Sequence, residues 1–149
     1  MEPFLTGFAD QARVHKAEEA RKMGIDDDLI SILVDKFYDK IRTHHTLGPI
    51  FAKRVSEWPT HLGRMKAFWG SVAIESGRFH GNPLLKHIAI GELQPEHFSE
   101  WLSLWSATVK DVVADDKALD FFNNRANRIA ESLIIGIALH RDRSSIANL

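Results

Sequence analysis

Four side chains in this sequence join a polar tip to an apolar setting: Tyr38, His61, His87 and Trp101. Both histidines lie in one stretch, WPTHLGRMKAFWGSVAIESGRFHGNPLLKHIAI, from Trp58 to Ile90. His61, Met65, Phe68 and Val72 follow one another at intervals of four, three and four, with Leu62 and Trp69 beside them. On a helix they share one inward stripe. His87 comes four residues after Pro83, among Leu84, Leu85, Ile88 and Ile90, while Lys86 can reach solvent. A sheltered imidazole can ligate a metal, carry a proton or donate a hydrogen bond. It can also be an ordinary core histidine bonded to the backbone. Two of them could approach one buried object from opposite sides.

Tyr38 is the only tyrosine, and it falls on the apolar face of LISILVDKFYDKI. A phenol there needs a partner for its proton, and a backbone carbonyl is the plain choice. Trp101 offers a large apolar plane with one N–H donor, or simple core filling. Left unsatisfied, each buried polar group costs ~1–3 kcal/mol. One polar ligand inside the core would satisfy them together.

The ligand set narrows by elimination. There is no cysteine, which removes disulfides, thiolate nucleophiles, iron–sulfur ligation and covalent haem attachment. No His-Glu-x-x-His motif supports zinc. His44 and His45 are adjacent and would diverge on a helix. A di-iron carboxylate bundle wants paired Glu-x-x-His motifs, and the spacing from Glu57 to His61 is four with no second pair. Haem asks for less: one neutral imidazole, an apolar slot, and polar groups on the opposite face if a gas is to be held. His87 is the better iron ligand, because its short capped segment lets the ring N–H away from iron donate to a nearby carbonyl. His61 is then left for the other face.

These residues need helices to position them. The 149 residues, 44% hydrophobic, suit one domain with one core. Residues 1–24 read as a polar leader, partly helical, with a charged stretch HKAEEARK of weak periodicity. The main domain spans 25–140, and 141–149 read as a frayed tail. Asp26 to Asp28 supply an N-cap and acidic first turn for a helix whose apolar residues run from Leu29 to Ile41. Gly48 and Pro49 break that helix and present Ile50 and Phe51 as an apolar plug. Ser56 or Thr60 is placed to cap the next helix, with Pro59 in its first turn. Gly77 ends it, Asn82 caps another short helix and Pro83 starts it. From His61 to Gly77 the helix climbs about 24 Å at ~1.5 Å per residue, and the ten steps back to His87 span at most ~33–36 Å. The two histidines can therefore face each other. Gln94-Pro95-Glu96 opens a helix carrying Phe98, Trp101, Leu102, Trp105, Val109 and Val112, and a last helix carries Leu119 to Ile137. No segment alternates with period two, so the fold class is all-α.

The formal charge of −1 shows no dense basic stripe for nucleic acid. The longest apolar run, Leu133 to Leu139, is far below the ~18 residues of a membrane span. A cytoplasmic monomer with small-molecule partners, and with neither nucleic acid nor membrane as partner, is the expectation.

FYDKI, LGPIF, WPTHLGRMKAFW, GRFHGNPLLKH and HFSEWLSLW resemble, in order and approximate spacing, the group III truncated haemoglobins. The likeness covers about residues 28 to 139. It implies a two-over-two helical sandwich around haem b. On that likeness His87 matches the proximal iron ligand, Tyr38 the B-helix tyrosine, His61 the distal histidine and Trp101 the G-helix tryptophan. Phe51 would pack on the haem, Met65 and Phe68 would line the distal side, and Arg64 would meet a propionate. The chain departs from the family at Phe79, often tyrosine, and after His87, where Ile88-Ala89 replaces a leucine-proline pair. The implied activity is binding of dioxygen or another diatomic gas at ferrous haem. The rivals are nitric oxide dioxygenation or peroxide turnover with a separate reductase, and a cofactor-free helical interaction domain.

Overall fold

The computed structural model describes the backbone of residues 3–74, 77 and 79–147, and the side chains of residues 11–74, 77 and 79–144. The helices among them are α1 (Pro3–Lys22), α2 (Asp27–Thr43), α3 (Leu47–Arg54), α4 (Trp58–Ile74), α5 (Pro83–Ile88), α6 (Pro95–Val112) and α7 (Asp116–Ala147), and no described residue is in a strand. α2 packs on α4, α6 packs on α7, and the two pairs join through α2 and α6. That is the two-over-two arrangement, and it agrees with the all-α expectation.

Local chemistry explains most boundaries. Asp26 Oδ1 accepts from the Leu29 amide at 2.8 Å, and Asp27 and Asp28 stand in the first turn of α2. Its inner face buries Ile30, Leu33, Val34, Phe37, Tyr38 and Ile41. Asn82 Oδ1 accepts from the Leu85 amide at 3.2 Å, and Pro83 opens α5. At the head of α6 the Gln94 amide donates to His97 Nδ1 at 2.9 Å.

Three boundaries differ from the sequence expectation. Gly48 and Pro49 do not break a helix; they lie in the first turn of α3, and the break falls at residues 44–46. Proline is tolerated there because its missing N–H has no helical partner at that position. Gly48 lets α3 cross the end of α2: a Cβ would lie 2.9 Å from the Arg42 carbonyl oxygen and 3.3 Å from that of Ile41. Neither Ser56 nor Thr60 stands at the cap of α4, which begins at Trp58 and returns its His61 amide to the Glu57 carbonyl at 3.1 Å, so that Glu57 holds the cap position. Finally, α7 continues as helix to Ala147, through most of the segment placed in a frayed tail.

From Pro3 to Lys22 the leader is one helix, and its end is tied down. Gly24 takes φ +79° and the Ile25 amide bonds the Ala20 carbonyl at 2.9 Å, which turns the chain into the core. Ala20 and Ile25 are buried, and α1 rests on α4.

Two apolar clusters result. The larger draws on α2, α4, α6 and α7 and holds Phe37, Tyr38, Trp69, Trp105 and Phe122. The smaller gathers Leu93, Phe98, Ala130, Leu133 and Ile137, with Leu84, Ile88 and Ile90 packed on it. Leu102 and Ile129 touch both.

Candidate functional site

Tyr38, Phe51, Trp58 and His61 form one ring cluster. The Tyr38 and His61 centroids are 5.0 Å apart and nearly perpendicular. Phe51 lies 5.8 Å from Tyr38 and 6.1 Å from His61, and Trp58 lies 5.4 Å from His61. Arg42 covers the outer side of the cluster, with its guanidinium carbon 4.5 Å from the Trp58 ring centroid.

The polar tips in this cluster lack internal partners. His61 Nδ1 is buried with no hydrogen bond. Burial, and next the nearby Arg64 charge, lower the His61 pKa. Its neutral form is thereby favoured. The Tyr38 hydroxyl bonds no backbone carbonyl among the described residues, contrary to the plain expectation, and burial alone pushes its pKa well above the ordinary tyrosine value. The phenol stays protonated and remains a donor.

His87 sits elsewhere, on α5, with its ring 6.2 Å from Phe98 in the smaller cluster. Its Nδ1 lies 2.6 Å from the Pro83 carbonyl oxygen. A carbonyl only accepts, so Nδ1 carries the proton and, in the neutral ring, Nε2 carries the lone pair. α5 comes close to α7 because Gly136 has no side chain: a Cβ there would lie 2.6 Å from Leu84 Cδ1.

Met65, Phe68 and Trp101 are half-buried against the larger cluster, and Arg64 is exposed beside His61. Trp101 meets Phe37 edge-on at 5.4 Å and stacks on Trp105 at 5.9 Å. So Tyr38, Phe51 and His61 are in mutual contact, Met65, Phe68 and Trp101 border the same core, and His87 belongs to the other cluster.

Sequence reasoning missed Trp58, whose position at the start of α4 gave no periodic signal. It also missed His44. The rings of His44 and His45 do not diverge but lie 4.8 Å apart, in the turn between helices. His44 Nδ1 accepts from the Thr46 and Leu47 amides at 3.3 and 3.1 Å, and the Thr46 hydroxyl donates to Glu100 on α6. This clasp fixes α3, and with it Phe51, against α6.

The donor set suits a haem. A His87 ring with its N–H anchored on a carbonyl leaves a nitrogen for iron, and the orphaned His61 nitrogen and Tyr38 hydroxyl offer polar contacts to a second face. Arg64 at the rim suits a propionate.

No protein-family profile matches the chain. It is similar to the group 3 truncated haemoglobin ctb of Campylobacter jejuni subsp. jejuni serotype O:2, at 30% identity over 110 residues that make up 71% of this chain and 86% of that protein. Among solved structures it is similar to the crystal structure of the group III truncated haemoglobin from Campylobacter jejuni, with TM-score 0.71 and 27% identity, covering 76% of this chain and 91% of that one.

Proposed function

This chain belongs to the group III truncated haemoglobins, and from that premise we propose that it holds haem b through His87 and binds a diatomic gas, dioxygen foremost. The observation that carries this is His61 Nδ1, buried without a hydrogen bond, on a ring 5.0 Å from that of the buried Tyr38. A haem bound here would supply a ferrous iron able to take up a gas. The chain does the rest. His87 keeps its Nδ1–H on the Pro83 carbonyl, which orients the ring and fixes the tautomer. Tyr38, held protonated by burial, and Trp101 are the donors for a ligand that gains negative charge on binding. His61, neutral and adjacent to Tyr38, gates the approach. Phe51, Met65 and Phe68 keep the setting dry.

Absorption spectra of the ferric, ferrous and carbonyl forms test the haem, and gas dissociation rates test the donors. Tyr38→Phe and Trp101→Phe each remove about 1 kcal/mol, a roughly fivefold faster dissociation. Unchanged rates in both variants rule out the donor roles. Sustained consumption of nitric oxide with a reductant would assign turnover with a separate reductase, whereas a single stoichiometric burst would assign binding.

A further inference from the structure

Phe37 meets Tyr38, Trp101 and Trp105 edge-on, at 74°, 86° and 83°. The indoles do something else. Trp101 and Trp105 lie 5.9 Å apart at 3°, and Trp105 and Trp69 lie 4.4 Å apart at 13°. Three tryptophans from α6 and α4 thus form one face-to-face stack. Offset stacking is an ordinary aromatic arrangement for a pair; here Trp105 overlaps Trp69 at 4.4 Å, and Trp101 lies parallel but laterally offset at 5.9 Å, in van der Waals reach for electron transfer. Indole is among the most readily oxidised side chains, and a positive charge shared over the close Trp105 and Trp69 pair is stabilised by delocalisation.

The surroundings favour this stack over the other oxidisable rings. Oxidising a phenol releases its proton, and the Tyr38 hydroxyl has no hydrogen-bond acceptor among the described residues. Arg42 stands over Trp58, and a cation there opposes loss of an electron. Trp105 instead donates its Nε1–H to the Phe122 carbonyl oxygen at 3.2 Å, which stabilises a positive indole. Trp105 also borders a groove of about 630 Å³ between α6 and α7, lined by Ser103, Ser106, Lys110, Asn123 and Asn127. The groove is wide open to solvent, and Trp105, buried to 1% exposure, meets it at one ring edge. The hydroxyl, amide and lysine lining suits a small molecule that is polar and anionic.

We propose that the Trp101, Trp105 and Trp69 stack is an electron path between the haem pocket and this groove, and that a small anionic hydroxylated reductant of the ascorbate class feeds it after peroxide has reacted. The proposal rests on the haem reading above. A haem bound here would supply the two electrons that break the O–O bond of hydrogen peroxide. Trp101 returns two electrons, one at a time; after each, Trp105 refills Trp101 and a reductant in the groove refills Trp105. Each reductant loses one electron and one proton, and the protons complete the water. One peroxide and two donors therefore give two waters and two donor radicals. Without a donor, the charge rests on Trp105 and Trp69.

The test uses the haem-loaded ferric protein, its loading read from the absorption band, mixed with hydrogen peroxide and freeze-quenched for electron paramagnetic resonance. A tryptophanyl radical is expected, with oxidation products mapping by mass spectrometry to Trp105 and Trp69. Ascorbate abolishes both, consumed net as one molecule per peroxide, because the two ascorbyl radicals formed disproportionate to one ascorbate and one dehydroascorbate. Trp69→Phe confines the products to Trp105, and Trp101→Phe loses them from both sites. Lys110→Glu, a surface change that leaves the stack intact, raises the ascorbate concentration needed for half protection. Products on Tyr38 or Trp58, or no protein radical in protein that retains its haem band, overturn the electron path. An unchanged ascorbate requirement in Lys110→Glu overturns the groove. A preparation with no haem band defeats the haem reading itself, and this one with it.

Discussion

His61 rides on a helix of 17 residues that buries Trp69, Gly70 and Ala73 on its core side. His87 rides on a helix of six residues, none of them buried. Around Tyr38 and His61, three long helices and a ring cluster hold every side chain from several directions. Around His87 the restraints are more local: an Asn82 cap, the bond from its own ring to the Pro83 carbonyl, the packing of Leu84, Ile88 and Ile90 on the smaller cluster, a close approach to α7 at Gly136, and one bond from Arg141 to the Gly91 carbonyl at 3.1 Å. The Tyr38–His61 side is thus assembled by the protein core, whereas on the proposed haem reading the bond that His87 would make adds to the hold on α5.

The sharpest way to break the comparison is His87→Gly. If the proximal side depends on the iron bond, this variant loses haem uptake by more than the roughly 10–100-fold typical of an outer-shell partner. An unchanged ferrous spectrum would sink the assignment of His87. Next in size is Trp105→Ala, which empties the centre of the larger cluster. It should lower stability by about 3–5 kcal/mol in denaturant unfolding, in haem-free and haem-loaded protein alike.

A smaller effect sharpens the proximal side. Gly136→Ala should cost about 1 kcal/mol net, overpacking against the Leu84 methyls being partly offset by the better helix propensity of alanine, and should raise the haem loss rate as Leu84 shifts and α5 with it. Trimming Leu84 in the same chain should restore both. Gly63→Ala, where a Cβ meets nothing within 4 Å, is the control. If Gly136→Ala leaves the haem loss rate at the wild-type value, α7 does not set the position of His87.

The smallest effect is a pH dependence on the distal side. The His61 pKa is lowered in the fold by burial and then by Arg64. Between that depressed value and the ordinary histidine pKa of ~6.5, the unfolded chain binds more protons than the folded one. Its contribution to stability is therefore present above about pH 6.5 and is lost as pH falls toward the folded value. Unfolding measured from pH 7.5 down to 5 should show this slope, and His61→Leu should flatten it.

Much of this was legible because it is local. The α2 face, the Asn82 cap with Pro83, and the Gln94-Pro95 start each depend on neighbours within a turn or two. What escaped depends on distant approach. The docking of α1 hangs on Ala20 and Ile25, two small commitments in a mostly charged segment. Gly48 read as a breaker because its actual task, letting α3 cross the α2 carbonyls, involves atoms on another element. The types of the site residues could be read from stripes, but not the joining of Trp58 to Tyr38 and His61, nor the clasp that His44 and Glu100 place on α3. For Trp101 the structure shows the core-filling alternative, its half-buried ring meeting Phe37 edge-on and stacking on Trp105.

The corner at Gly48 sets a limit on how such a chain can diversify. Positions 63 and 91 have open space beyond the α-carbon, so mutation can wander there at little risk. At 48 any side chain meets peptide oxygens that cannot swing aside, and α3 would have to lift away from α2, taking Phe51 with it. A descendant that altered this residue would have to redesign its distal wall in the same step.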